Sequence, residues 1–204
     1  MYLWLILTLI FAGCMAFSIT GGLWTNTLVF INLVTSGLIA FTFFEPLAKW
    51  LDGQLPSYTY LWDFLSLWLV FAVSMGLLRT ATDLLSKVKV KFKRPIDQVG
   101  GIVMGCLIGW VMICFVLATL HTAPLAKEFL FGNFKPDERM YMGLAPDRKW
   151  LGFVRMQSKG SFYHRGPATD RSAFVFPGAT DFVGRYAERR AAFEKEPETR
   201  TAGS

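Results

Sequence analysis

Four long runs of apolar residues fill most of the first 120 positions, and polar or turn-forming residues separate them. The runs cover residues 2–19, 23–44, 61–78 and 99–120. A helix needs about 20 mostly apolar residues to cross a hydrocarbon core about 30 Å thick, because each residue advances it by about 1.5 Å. None of the runs has the charged face that a helix on a soluble protein shows. The pattern predicts an all-α membrane domain of four transmembrane helices over residues 1–123.

Glycine and proline mark the ends of these runs. Gly21 and Gly22 separate the first two runs, Pro46 follows the second and Pro124 follows the fourth. Proline ends helices because it lacks an amide hydrogen and clashes with the preceding turn. The first run has no basic residue before its apolar stretch, so we expect it to stay as a spanning helix and not to act as a cleaved signal.

The last 80 or so residues are richer in charged residues than the four apolar runs. They predict a small extramembrane tail of mixed or irregular structure over 124–195. Within it, residues 180–195 favour a helix, because apolar and basic positions fall on opposite stripes. Residues 196–204 are expected to be disordered. Aromatic and arginine side chains dominate interface hot spots. We therefore expect a partner-docking surface on the tail, formed by Trp150, Phe182, Tyr186 and Arg189. The alternative is a tail that lies on the membrane or packs on its own loops.

Charge is distributed as unevenly as hydrophobicity. The net charge is +6, and 14 of the 21 Lys and Arg residues lie after residue 123. The most basic short loop carries alternating lysines and a final arginine: Lys87, Lys89, Lys91, Lys93 and Arg94. Such loops stay in the cytoplasm and face anionic lipid head groups, which predicts extracytoplasmic N- and C-termini. The basic residues form no extended patch for nucleic acid, so we expect no nucleic-acid partner.

The chain offers little for catalysis or cofactor binding. Its three cysteines lie in apolar segments without a C-x-x-C pair, and it has two histidines. No G-x-S-x-G motif surrounds any serine. We therefore predict no catalytic residue, no metal and no cofactor.

Two sets of small or polar residues within the apolar runs point to helix contacts. Gly101, Gly105 and Gly109 recur every four residues and so share one face of the fourth run, where they allow a close helix approach. That approach is either internal packing or a functional contact, which would be an oligomer seam or a pore lining. The second run carries polar side chains that either hydrogen-bond between helices or line a polar path: Asn26, Asn32, Thr35, Ser36 and Thr42. Asp97, just before the fourth run, is expected to cap its free amides.

The block from Asp97 to Ile113, with Gly100-Gly101 and the repeated glycines, resembles the last helix of the colicin V production protein (CvpA) family. The layout of two helices joined by a short glycine turn and two joined by a polar loop is also similar over about residues 1–125. Gln98 departs from the arginine that the family often has there. The resemblance implies a bacterial inner-membrane protein linked to toxin export and envelope behaviour, without a settled biochemical activity.

The expected function is a non-catalytic membrane anchor or assembly subunit of an envelope complex, whose tail docks a partner. The expected partners are membrane lipids and other membrane or periplasmic proteins, with a homo-oligomer as a further possibility. A small oligomeric channel or transporter subunit is the alternative.

Overall fold

The computed structural model describes residues 2–54, 59–86, 93–123, 144–159 and 176–195, and these are helical almost throughout. The helices are α1 (Tyr2–Gln54), α2 (Thr59–Leu85), α3 (Arg94–Leu120), α4 (Pro146–Lys159) and α5 (Ala179–Lys195). No strand occurs in these ranges, which confirms the predicted all-α class. Three helices, α1, α2 and α3, are long and apolar enough to cross a membrane, against the four that the sequence predicts.

The difference in number arises at Gly22, where α1 is interrupted. Gly22 has φ 69° and ψ 169°, a conformation open essentially to glycine alone, and it divides the 53-residue helix in two. The chain reverses direction there, because Leu7 before the break packs with Ile113 of α3 and Phe41 after the break packs with Phe115. A continuous helix of that length would extend about 80 Å, twice the length of α3. Instead, both halves of α1 lie beside α3.

Helix α3 is the centre of the bundle, and its small residues let the first half of α1 come close. Leu3 and Leu7 pack with Ile113 and Leu117 near the end of α3. At the start of α3, Gly101 faces Gly22. The first half of α1 therefore runs antiparallel to α3. We call the end of the bundle near Gly22 the turn end, and the end where α3 finishes the tail end.

Helix α2 packs mainly on the second half of α1 and reaches α3 through aromatic contacts, with the Phe71 ring stacked 4.3 Å from the Phe115 ring. Two side-chain bonds fix it there. Asn32 donates to the Thr82 hydroxyl at 2.9 Å, and the Trp24 indole donates to the Ser86 hydroxyl at 3.0 Å. The opposite face of α2 is apolar and exposed, with large side chains four residues apart at Leu65, Leu69, Val73 and Leu77. This face suits contact with lipid chains.

The tail helices α4 and α5 pack on the bundle at its tail end. Trp150 and Leu151 of α4 and Phe182 of α5 join the same buried cluster as Phe41 of α1 and Phe115 of α3. Helix α5 begins at Ala179, next to the position 180 at which the sequence places a helix. In the described parts of the tail, residues 146–159 and 179–195 are helical, whereas 124–143 and 160–175 lie outside the described residues. The predicted disordered end, 196–204, lies outside the described residues.

We predict that Gly22→Ala destabilises the fold by about 1–3 kcal/mol, because alanine does not tolerate this backbone conformation. An added Cβ would also lie 2.8 Å from the Asp97 carboxylate. The measurement is thermal unfolding of the purified protein in detergent.

The matched control is Gly13→Ala, where an added Cβ would meet nothing within 4 Å. Alanine in a helix interior is favoured over glycine by about 1 kcal/mol, so this control should be neutral or stabilising. Equal melting temperatures for the two variants would contradict the reversal at Gly22.

Candidate functional site

The residues that the sequence assigns to partner docking are mostly buried where the tail meets the bundle. Trp150, Phe182 and Tyr186 are only 4%, 0% and 4% exposed. Their apolar surface is therefore used inside the protein, which corrects the expectation that they form an exposed docking surface. Arg189, the fourth of these residues, is about one-third exposed and binds a carboxylate of α2.

The contact between tail and bundle is an aromatic cluster around Phe41. The Phe41 ring lies 5.9 Å from the Phe115 ring, 6.3 Å from Trp150 and 6.1 Å from Phe182, measured between centroids. Gly37, one turn earlier on α1, makes room for the indole, because an added Cβ there would be 2.5 Å from a Trp150 ring carbon. Edge-to-face aromatic pairs stabilise by about 0.5–1.5 kcal/mol beyond their burial. The tail helices are thus part of the main hydrophobic core.

Two ion pairs hold α5 against the ends of α1 and α2. The Arg189 guanidinium donates to the Asp63 carboxylate, and the Arg185 guanidinium donates to the Glu45 carboxylate at 3.3 Å. Asp63 is 7% exposed, so its charge is removed from water and relies on Arg189. We call these four residues the ion-pair cluster.

A cavity of about 320 Å³ lies beside the ion-pair cluster, lined also by Ala48, Lys49, Asp52 and Tyr186. Burial raises the pKa of the Tyr186 hydroxyl, and the nearby Asp63 and Glu45 carboxylates raise that pKa further. Tyr186 therefore stays protonated at neutral pH. The cavity has acids and bases in equal number, three of each, so its formal charge balances.

A second polar group closes the tail end, between the end of α3 and the start of α4. His121 Nε2 lies 3.0 Å from Asp147 Oδ2, and the side chains are 0% and 1% exposed. Arg190 of α5 donates to the His121 carbonyl at 2.8 Å, so it satisfies a carbonyl that the end of α3 leaves free. Burial alone would raise the pKa of Asp147. The hydrogen bond and charge of His121, together with Arg148, outweigh it and hold that pKa below its ordinary value.

At the turn end, the Asp97 carboxylate accepts a hydrogen bond from a different helix than the one that the sequence predicts it to cap. Lys93 occupies the N-cap position of α3 without a side-chain cap bond, and Asp97 lies inside the first turn. Asp97 Oδ1 accepts a hydrogen bond at 2.9 Å from the Leu23 amide, the first residue after the reversal. Asn26 adds a bond at 3.3 Å to the Gly101 carbonyl. Asp97 thus satisfies a free amide at the start of the second half of α1.

The glycine row of α3 faces the first half of α1 within the same chain. Added Cβ atoms at Gly105 and Gly109 would lie 2.8 Å from Ser18 and 2.6 Å from Phe11. The glycine row is therefore used for packing between two helices of the same chain. Lys93 and Arg94 are exposed at the start of α3, while Lys87, Lys89 and Lys91 of the basic loop lie outside the described residues.

The members of these polar groups that are not among the site residues suggested by the sequence include Asp63, His121 and Asp147. The sequence does contain a signal for these three residues. Each lies at or near the end of an apolar run or a helix, where a polar or charged side chain requires a partner. The partner comes from a helix 26 to 126 residues away along the chain, so local patterns do not reveal it.

The ion pairs and hydrogen bonds described above hold the helices together and fix their positions. The carboxylates of Glu45, Asp63, Asp97 and Asp147 are each engaged with an oppositely charged or hydrogen-bonding partner inside the protein. Within the described ranges, no three His, Cys, Asp or Glu side chains are placed to hold a metal ion.

Comparison with family models gives a match to one described as "Colicin V production protein", over residues 4–134. The matched range covers α1, α2 and α3 and more than half of the chain, and it stops before α4. Neither the curated proteins nor the solved structures contain a significant match.

We predict that Arg189→Gln loosens α5, because it leaves the buried Asp63 carboxylate without its charged partner. The expected loss is about 1–3 kcal/mol of local stability. Hydrogen–deuterium exchange of the α5 amides measures it. Glu188→Gln is the matched control, since Glu188 is an exposed neighbour on the same helix. Unchanged exchange in Arg189→Gln would show that the ion pair does not hold α5.

We predict that acid destabilises the tail end through Asp147. Its pKa is lowered in the folded protein, so its stabilising effect is complete above the unfolded pKa of about 3.9. The effect is lost as the pH falls through the folded pKa. Melting temperatures between pH 3 and 7 should drop less in Asp147→Asn than in the parent protein. Parallel pH profiles would contradict this role.

Proposed function

The chain belongs to the colicin V production protein family, and from that premise we propose that it is a non-catalytic scaffold of the bacterial inner membrane. In this proposal the protein crosses the membrane four times and holds its tail helices on the extracytoplasmic side, where they join an envelope complex. The observation that carries the proposal is the shared core of Phe41, Phe115, Trp150 and Phe182, which unites the bundle with α4 and α5.

The four crossings are supported by the reversal at Gly22. Leu23 bonds to Asp97 at the turn end, while Phe41 packs against Phe115 at the tail end. The second half of α1 therefore runs the length of α3, and the first half runs back beside it. Residues 23–44 and 2–19 are each about long enough to cross a hydrocarbon core. Two crossings within α1, with α2 and α3, make four.

The orientation follows from the basic loop. Lys93 and Arg94 lie at the turn end, and Lys87, Lys89 and Lys91 come just before them in the sequence. Basic short loops remain cytoplasmic. The tail end with α4 and α5 is then extracytoplasmic. An even number of crossings places the N-terminus on that same side.

A rigid attachment of the tail favours a scaffold. Because α5 is held by the ion-pair cluster and α4 by the aromatic cluster, a partner bound to the tail helices would be fixed relative to the membrane. With the apolar faces of α4 and α5 buried, we assign partner contact to their exposed polar side, which includes Asp181, Arg185 and Glu188. This surface replaces the docking residues that the sequence suggested.

The hydrogen bonds made by polar side chains of α1 favour a scaffold over a channel. Asn26 bonds to the carbonyls of Ser18 and Gly101, and Asn32 bonds to Thr82. Thr42 bonds to a carbonyl of its own helix. Asn26 and Asn32 are used in helix contacts, and the Thr42 hydroxyl is bonded within its own helix, which leaves these groups less suited to line a conducting path.

The first test is the side of the two chain ends. Epitopes at the N-terminus and after Ala202 should both react with a membrane-impermeant reagent in intact spheroplasts. Three crossings would place them on opposite sides, so labelling of one end alone would overturn the four-span arrangement. The same epitopes after detergent permeabilisation are the control for reactivity.

The second test concerns assembly. A photo-crosslinking amino acid at Glu188 should give a discrete protein adduct in cells, whereas one at Val73 on the exposed face of α2 should react mainly with lipid. Purified protein in vesicles should not carry ions. Ion flux combined with no adduct at Glu188 would favour the channel and refute the scaffold.

A further inference from the structure

An apolar groove opens on the side of the bundle between α1, α3 and α4. Its volume is about 380 Å³, within the range of about 300–1,000 Å³ found for pockets that hold small molecules. The walls are apolar or aromatic apart from one lysine: Phe30, Val34, Trp110, Val111, Cys114, Lys149, Trp150 and Phe153. The groove is separate from the ion-pair cluster and shares none of its residues.

The groove lies at the depth of lipid chains, an argument that rests on the proposed membrane-spanning arrangement. Trp110 and Cys114 are 13 and 17 residues beyond Asp97 on α3, which places them about 20 and 26 Å from the turn end. With a hydrocarbon core of about 30 Å, that is the half of the membrane next to the tail. The open side of the groove therefore meets the acyl chains of the lipid layer on the tail side.

The single charge at the groove is positioned for a lipid head group. Lys149 is exposed in the first turn of α4, on the membrane side of the tail, with its Nζ 5.8 Å from the centroid of the Trp110 ring. A lysine above an indole at the edge of the hydrocarbon layer is a common interfacial arrangement. Its ammonium group complements a phosphate, while the aromatic walls below complement an acyl chain.

We propose that this groove binds one phospholipid with an anionic head group, its phosphate paired with Lys149 and one acyl chain lying along Val34, Val111 and Phe153. The lipid would fill the space between α4 and the bundle, and so would help to hold the tail helices on the membrane. Phosphatidylcholine carries the same phosphate, but the positive charge of its choline group repels the Lys149 ammonium, so Lys149 favours a head group with a net negative charge.

The test uses the full-length protein in vesicles that contain a phospholipid with a photoactivatable acyl chain. One preparation carries the label on phosphatidylglycerol, which is anionic, and the other carries the same chain on phosphatidylcholine, which has no net charge. Labelled residues are mapped by mass spectrometry. We expect phosphatidylglycerol to label the groove residues at least several-fold more than phosphatidylcholine does, and both lipids to label Leu69 and Val73 on α2 equally.

Two variants sharpen the comparison. Lys149→Gln should reduce groove labelling by phosphatidylglycerol to the level of phosphatidylcholine, whereas Lys49→Gln, at another exposed lysine near the tail end, should leave it unchanged. Val111→Trp should fill the groove and abolish labelling there by both lipids, with labelling of α2 retained.

The outcomes separate this inference from the proposed function. Labelling of α2 with an unlabelled groove, or equal groove labelling by both lipids, would overturn the lipid site and leave the membrane-spanning arrangement intact. Crosslinks from the groove to a second copy or another polypeptide would overturn it in favour of a protein occupant. Absence of labelling on α2 as well would refute the spanning arrangement and the site together.

Discussion

The hydrogen bond from the Leu23 amide to the Asp97 carboxylate is the contact on which the bundle depends most. A helix that starts within an apolar environment has free amides, and lipid offers them no hydrogen-bond partner. The reversal at Gly22 creates such a start at the end of an apolar hairpin. The first turn of α3 supplies the missing acceptor, so the reversal and the position of α3 are fixed by one interaction.

The glycine row extends this constraint along the bundle. Because Gly101, Gly105 and Gly109 have no side chains, the first half of α1 approaches α3 closely over its length. Close packing takes the place of the hydrophobic drive that is absent between helices in lipid. The second half of α1 then occupies the neighbouring side of α3, and its asparagines Asn26 and Asn32 find partners on α3 and α2 instead of facing lipid.

The tail end shows how a charged segment is joined to an apolar bundle. Large aromatic side chains from α4 and α5 bury themselves against Phe41 and Phe115, and charged side chains at the rim pair across elements. Burying an unpaired charged or polar side chain is unfavourable, so Asp63 near the start of α2 and His121 at the end of α3 both acquire partners from the tail. Tail and bundle therefore share one core, although their compositions differ so much along the chain.

Hydrophobic periodicity and length are local properties, and by themselves they determined the helical class, the membrane character and the helix near residues 180–195 of this protein. The repeated glycines and the resemblance around Asp97 also indicated the family. Partners of single side chains were decided only by the tertiary structure, since they depend on contacts between distant segments. The same pattern of tryptophan and phenylalanine residues is compatible with an exposed hot spot and with a buried core. The space beside Gly37, which the tertiary structure creates, accommodates the Trp150 indole in the core. Likewise, the sequence alone predicts that Asp97 caps its own helix, α3. The reversal at Gly22 instead places the free Leu23 amide within hydrogen-bonding distance of the Asp97 carboxylate.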